Sequence, residues 1–326
     1  MLPEITDHVD LCLPDGRLNR EAVGFSRRPL HRTNLTGWGR NKRWEYWGLV
    51  SPSHAIGMTL SNLDYLAVNQ LYVYDRATGE EIVRDVLGPG IGGAHLTDEA
   101  EPVTARLASR KLTMEFRDHP GGTTLRARTD RVDLDLEAAD SGDCLAVVVP
   151  WNDTRFQYTV KDLARPVTGS LTVDGITYEI EPGTTFAALD RGRGRWPYSK
   201  TWNWATACGV VDGHTIGLQL GGKWTDGTGS TENAITVDGT LTYWPDPVEW
   251  DYDTHDWYRP WHITGDHVDA TMTPFHVRMA TTNVGVIASA VQQAFGTWSG
   301  TAVDGSGREH VLNGLVGWAE QAKNRW

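Results

Sequence analysis

No run of about 18 apolar residues occurs in this 326-residue sequence, so a membrane-spanning helix is not expected. Cysteine is scarce: Cys12, Cys144 and Cys208 are odd in number and far apart, which excludes a disulfide framework and the closely paired thiols of a structural zinc site. They read as buried thiols in a reducing compartment. Positive charge is in deficit too, with 30 Lys and Arg against 42 Asp and Glu and a formal net charge of −12. Phosphate binding draws on a surplus of basic side chains, so no nucleic-acid partner is expected. The opening "MLPEITDHVDLCLPDGRLNR" has early acids and no apolar core, unlike a signal peptide. A soluble, cytoplasmic protein without stable membrane insertion is the expectation. Neither a G-x-S-x-G elbow nor a Cys-His signature offers a covalent nucleophile.

What the sequence does have is turn residues and tryptophan: 35 Gly, 15 Pro and 15 Trp among 40% apolar residues. Period-two alternation dominates, as in "GSLTVDGITYEI" (169–180) and "NAITVDGTLTYW" (233–244), each a hairpin around Asp-Gly. Val-Asp-Gly recurs at 173, 211, 237 and 303 between strand-like runs. The fold class is all-β, antiparallel, with helix confined to short pieces. The best helix candidate is the C-terminal "GLVGWAEQAKNRW", where Leu315, Trp318, Ala319 and Ala322 would share a face. A change of style at 155–168 divides the chain into an extended arm (1–40), a first barrel (41–160) and a second barrel carrying the C-terminal helix (161–326).

Eight of the 15 tryptophans fall within 190–261, interleaved with acids and bases. Such a cluster either fills a core or lines a cleft. The Gly- and Thr-rich "KWTDGTGSTEN" (223–233) favours the cleft, because it sets Asp226 and Glu232 in a segment with little apolar side chain to bury. A carboxyl desolvated by aromatic walls keeps its proton at neutral pH and can act as a general acid. The nucleic-acid-like "DRGRGRWPYSKTWNWATACG" (190–209) then reads as pocket wall. Asp226 or Glu232 is the expected proton donor, with Asp190 as partner or water-activating base. Trp196, Trp202, Trp204 and Trp224 form the aromatic wall, and Arg193 with Tyr198 the polar anchors. Glu249 is the next acid in line.

Other signals are weaker. "GPGIGG" (88–93) has the G-x-G-x-x-G spacing but no following helix to hold a pyrophosphate, so it reads as a turn. His255, Asp256 and His262 match no metal-ligand spacing, and neither metal nor cofactor is expected.

"KRWEYWGLVSPSHAIGMTLSNLDYLAVNQLYVYD", "RFQYTVKDLARPVTGSLTVDG", "DRGRGRWPYSKTWNWATACG", "KWTDGTGSTENAITVDG" and "FGTWSGTAVDGSGREHVLNGLVGWAEQAKNRW" together resemble the large, mostly bacterial family of domain of unknown function 2804 (DUF2804). In the D-x-G-R-G-x-W-P-Y run, Arg191 intrudes after Asp190. That family is distantly similar to carotenoid 1,2-hydratases and AttH-like tandem lipocalin-like proteins, among them pericyclase-type cyclases and lipid-handling proteins. The resemblance implies two lipocalin-like β-barrels with a hydrophobic pocket near their junction, and no catalytic residue carries over from it. A hydratase, isomerase or cyclase acting on a hydrophobic unsaturated small molecule, such as an isoprenoid or polyketide, is the expected function. A passive lipid or terpenoid carrier and a carbohydrate-active enzyme with paired carboxylates are the alternatives.

Overall fold

Strands account for nearly all regular structure in the computed structural model, which describes residues 2–90, 93–283 and 288–325. Among the described residues the one helical piece is a single 3-10 turn, Arg20–Ala22, capped by the Asn19 side chain. No helix among the described residues is long and apolar enough to cross a membrane.

Apart from a small parallel pair, Val9–Asp10 with His31–Arg32, the strands form two curled antiparallel sheets in tandem, the lipocalin-like arrangement. In the first, the order runs Glu81–Pro89, Leu66–Asp75, His54–Asn62, Lys42–Val50, Phe186–Arg195, Arg155–Val173, Val132–Ala139, Gly122–Arg128, Thr113–His119, Thr104–Ala108, His95–Leu96. In the second it runs Thr240–Trp244, Asn233–Val237, His214–Gly222, Ser199–Val211, Val316–Arg325, Ala288–Val303, Val268–Asn283, Trp261–Gly265, Glu249–Asp251. The chain passes from one sheet to the other at 196–198, just after Arg195. The segment 155–168 therefore lies inside the first sheet. What changes there is direction: the Arg155–Val173 strand has a register shift between Asp162 and Arg165, with Ala164 at φ +50°. Its first part pairs with Leu145–Asn152 and its second with Val132–Ala139 and Ile176–Ile180.

Three of the four Val-Asp-Gly sites are tight turns with both central residues at positive φ: Asp174-Gly175, Asp212-Gly213 and Asp238-Gly239. That conformation matches the twist of the flanking strands and selects Asp-Gly. At the fourth, Asp304 opens a wider loop, accepting from the backbone N–H of Ser306 and Arg308 through its carboxylate.

The C-terminal segment departs from the helix expected of it. Val316–Arg325 is a strand between Ser199–Val211 and Ala288–Val303, filling the second sheet's centre. Buried on both faces, it shows no clean alternation, and small residues at 317, 319 and 322 imitate a helical stripe. Gly317 shows the constraint: a Cβ there would lie 2.0 Å from the Thr206 carbonyl oxygen.

Each barrel has its own core, Trp47, Phe116, Leu125 and Leu136 in the first and Trp244, Trp261, Trp298 and Met272 in the second. A third cluster lies between the sheets, where Tyr46, Tyr72, Ala164 and Ala188 meet Trp204, Cys208, Phe295 and Trp318. Burying each large ring here contributes about 1.5–3 kcal/mol, so the two barrels are joined by a true core. The N-terminal segment packs Leu11, Cys12, Leu18 and Ala22 on Val148, Phe156, Tyr158 and Val160, and all three cysteines are buried and free.

Candidate functional site

Strand alternation explains "DRGRGRW". In Phe186–Arg195, Arg191 and Arg193 point into the first barrel, while Asp190, Gly192 and Gly194 face the second sheet. Inside the barrel, Arg193 donates to Glu45 Oε1 at 2.7 Å and to the carbonyls of Trp44, Gly192 and Thr97. Arg191 donates to Glu45 Oε2 at 2.9 Å and pairs with Asp118 at 3.1 Å. Arg193 and Glu45 have no solvent exposure. Every arm of Arg193 is committed to the barrel wall, so it does not serve as the expected anchor at the tryptophan cluster, and Tyr198 is half exposed beyond the strand end.

The opposite face is different. Gln157, Thr159 and Lys161 alternate with Phe156, Tyr158 and Val160, and the polar set turns toward the second sheet instead of solvent. Lys161 pairs across the ladder with Asp190, its Nζ donating to Asp190 Oδ1 at 2.6 Å, and Thr159 Oγ1 donates to the same oxygen at 3.1 Å. From the second sheet comes Glu232, whose Oε2 lies 3.6 Å from Lys161 Nζ. The ammonium sits 4.8 Å from the centre of the Trp204 ring, a cation–π contact. Trp204 Nε1 donates to Gln219 Oε1 at 2.8 Å, and Gln219 Nε2 donates to the Glu232 backbone carbonyl at 3.2 Å. Gln219 thus fixes both the ring beneath the cation and the acid beside it.

Glu320 completes the group from Val316–Arg325, accepting from Trp202 Nε1 at 3.1 Å. Beyond it, Arg278 donates to Gln293 Oε1 at 3.0 Å and Gln293 Nε2 to the Tyr46 hydroxyl at 3.0 Å. Burial drives the electrostatics. It pushes the Glu320 carboxyl up to about 7, the Trp202 hydrogen bond and Arg278 opposing. It raises Glu232 as well, Lys161 opposing and Asp190 assisting. For Lys161, burial works against the ammonium, but Asp190 and Glu232 outweigh it and lift its pKa. The layer thus holds a permanent cation beside two carboxyls that retain their protons more readily than free acids. Two buried acceptors, Glu232 Oε1 and Gln157 Oε1, have no hydrogen-bond partner, the kind of vacancy a water or ligand donor fills.

Of the residues singled out in the sequence, the structure brings Asp190, Glu232 and Trp204 together on Lys161 and sets Trp202 beside Glu320. Trp196 and Trp224 belong to a neighbouring aromatic knot with Trp151 and Trp202, with Trp202 and Trp224 edge to face at 5.3 Å. Asp226 is on an exposed turn after Trp224 and does not share the desolvated environment of Glu232. Glu249 is exposed at a sheet edge. His262 pairs with Asp269 at 2.8 Å and His255 is exposed; among the described residues no group of three or more His, Cys, Asp or Glu could hold a metal ion. The 88–93 run contains Ile91 and Gly92, which lie outside the described residues. Lys161, Gln219 and Glu320 were not singled out. Lys161 sits on what reads as a solvent-facing polar stripe and Glu320 on the supposed helix. Two open clefts, of about 540 and 500 Å3, lie elsewhere, at Leu2, Pro3, Gly229, Pro245 and Asp246 and at 251–254 with Arg259 and Pro260, and share no residue with this cluster.

The profile of the family described as "Domain of unknown function (DUF2804)" matches residues 3–326. No protein of curated function matches the sequence significantly. Solved structures share the fold at low identity. A Nitrosomonas europaea protein provisionally assigned as AttH is 14% identical, with a TM-score of 0.54 over 86% of this chain and 92% of that one. Kievitone hydratase from Nectria haematococca is 12% identical, with a TM-score of 0.51 over 88% and 89%. CghA is 12% identical, with a TM-score of 0.57 over 90% of each chain.

Proposed function

This chain belongs to the DUF2804 family, and from that premise we propose that it is a hydratase, isomerase or cyclase acting on a hydrophobic unsaturated small molecule through acid–base chemistry of its own side chains. The observation that carries this reading is the inter-sheet layer, in which Glu232 and Glu320, both pushed toward the protonated form by burial, flank the Lys161–Asp190 pair among Trp202, Trp204 and Trp318. General acid catalysis works best when the acid's pKa lies near the working pH, and burial brings the Glu320 carboxyl there. Asp190, held by Lys161 and Thr159, is the fixed counter-charge that keeps the ammonium in place. Glu232 and Glu320 are the proton-transferring groups, and the aromatic rings take the apolar body of the substrate.

Kievitone hydratase and CghA, whose fold this chain shares, lend the reading support at the level of reaction class only. The test is proton exchange. The protein is incubated in deuterated water with a panel of terpenoid and polyketide alkenes and ketones, and carbon-bound deuterium is read by mass spectrometry. Incorporation that disappears in Glu232→Gln or Glu320→Gln supports an acid–base enzyme. Saturable binding without incorporation across the panel would identify a carrier.

A further inference from the structure

We infer that the substrate's double bond is conjugated to, or one carbon removed from, a carbonyl oxygen that docks on the Lys161 ammonium, with Glu232 moving the proton at carbon; this rests on the acid–base reading above. Two chemistries are open to an acid in an aromatic layer. Protonating an isolated alkene puts positive charge on carbon, and an indole face can stabilise it. Here the Trp204 face is already occupied, with Lys161 Nζ 4.8 Å from its centre. That ammonium also lies 3.6 Å from the Glu232 carboxyl, so the indole face nearest this acid is not free to receive a carbocation. Proton transfer in a conjugated carbonyl instead places negative charge on oxygen, and the fixed ammonium then stabilises the charge as it develops.

The donor geometry agrees. An ammonium has three N–H groups. Asp190 takes one at 2.6 Å, whereas Glu232 at 3.6 Å is beyond ordinary hydrogen-bond length. A carbonyl oxygen reaching the ammonium from the side of the Lys161–Glu232 line would receive a full hydrogen bond there. The unpartnered Glu232 Oε1 is the atom left to meet carbon. The step balances with one base. The carboxylate form of Glu232, a stronger base than a free carboxylate because burial disfavours its charge, takes a proton from the carbon between the carbonyl and the double bond, and the C–H electron pair moves toward oxygen as an enolate held by Lys161. The enolate collapses, and its far carbon recovers the proton from Glu232, so the double bond moves into conjugation and the carboxylate is regenerated. Half-buried Trp44 and Trp202 flank the layer and would have to swing aside to admit the substrate.

The test uses two flat probes of one shape, trans-chalcone, which has the conjugated carbonyl, and trans-stilbene, which lacks it. Chalcone is expected to bind the full-length protein at least tenfold more tightly than stilbene, with its absorption band moved to longer wavelength by hydrogen bonding to the ammonium. In Lys161→Met the band shift and the preference are expected to vanish while stilbene affinity stays within about twofold. Because that change strands Asp190, the double variant Lys161→Met/Asp190→Asn, which removes the pair together, is measured alongside. Equal binding of the two probes, or a band shift that persists in the folded variant, overturns the carbonyl assignment and leaves the acid–base reading standing. Failure of both probes to bind overturns the carbonyl assignment and counts against the aromatic layer as a substrate site, so the reading beneath it falls too.

Discussion

Replacing Glu320 by glutamine should stabilise this protein, and only at neutral to alkaline pH. In the folded chain the carboxyl is pushed from 4.5 up to about 7, with burial as the leading cause. Each pH unit of difference between folded and unfolded states is worth about 1.4 kcal/mol, so the ionised form is disfavoured in the fold by about 3 kcal/mol. The side chain is only 7% exposed, so little of this is lost to solvent screening. The sign follows from proton counts. Between pH 4.5 and 7 the folded state holds a proton that the unfolded state has released, so stability falls as pH rises through that window and levels off above it. Glutamine does not titrate, and its amide oxygen can still accept from Trp202 Nε1, which donates to Glu320 Oε1 at 3.1 Å. Urea unfolding of both proteins from pH 4 to 9 provides the measurement, since the titrations of groups remote from Glu320 cancel in the difference. The two should coincide near pH 4 and separate to about 3 kcal/mol in favour of Glu320→Gln by pH 8. A difference that does not change with pH would refute the argument, because Glu320 would then titrate alike in both states. A variant that becomes less stable as pH rises would show the carboxylate to be favourably paired in the fold.

Three further outcomes test the remaining geometry. Arg193→Met leaves Glu45 its Arg191 partner but strips the donor from the buried Oε1, and should lower stability by about 1–3 kcal/mol in thermal or urea unfolding. Gly48→Ala brings a Cβ to 2.4 Å from Trp318 Cη2; the displaced ring should cost about 1–3 kcal/mol and alter tryptophan emission. Asp226→Asn, on its exposed turn, should change stability by less than about 0.5 kcal/mol and leave deuterium incorporation intact, whereas Glu232→Gln should abolish it.

Hairpins were the most legible part of the fold, because Asp-Gly at positive φ is a local requirement written in two residues, Asp174-Gly175 being one case. The C-terminal strand was not legible as a strand. A central strand buried on both faces loses its alternation, and "GWAEQA" then fits a helical stripe equally well. Half of the site could be read for a similar reason. Glu232 stands in a loop-like, glycine-rich stretch with little apolar side chain to bury, and Asp190 belongs to a dense run of charge and tryptophan, so both stand out in the sequence. Lys161 lies on an ordinary amphipathic strand. Its alternation says correctly that Gln157, Thr159 and Lys161 share a face, but whether that face meets water or another barrel is a tertiary fact. Asp226 misleads in the opposite way, since its sequence neighbours resemble those of Glu232 while the turn carries it into solvent.

Two of the buried ionic networks among the described residues differ in how fully their polar atoms are partnered. In the first barrel, Glu45 receives Arg191 and Arg193 on its two oxygens. Asp118 receives Arg191, Thr123 and the Val103 backbone, and the remaining guanidinium N–H groups reach carbonyls. Desolvating charges costs several kcal/mol per ion and is recovered only when the geometry is good and the polar atoms find partners, and both oxygens of Glu45 and all three nitrogens of each guanidinium have one. The inter-sheet cluster is less fully partnered. Glu232 Oε1 and Gln157 Oε1 are left unpartnered a few residues from fully satisfied neighbours, and the Lys161 to Glu232 separation stops at 3.6 Å. Purely apolar packing of Tyr46, Trp204, Phe295 and Trp318 would hold the sheets together at lower cost than burying Lys161, Asp190, Glu232 and Glu320 among them. The unpartnered Glu232 Oε1 beside the Lys161–Asp190 pair supports the proposed placement of the chemistry between the barrels, whose own interiors Trp47 and Trp298 fill.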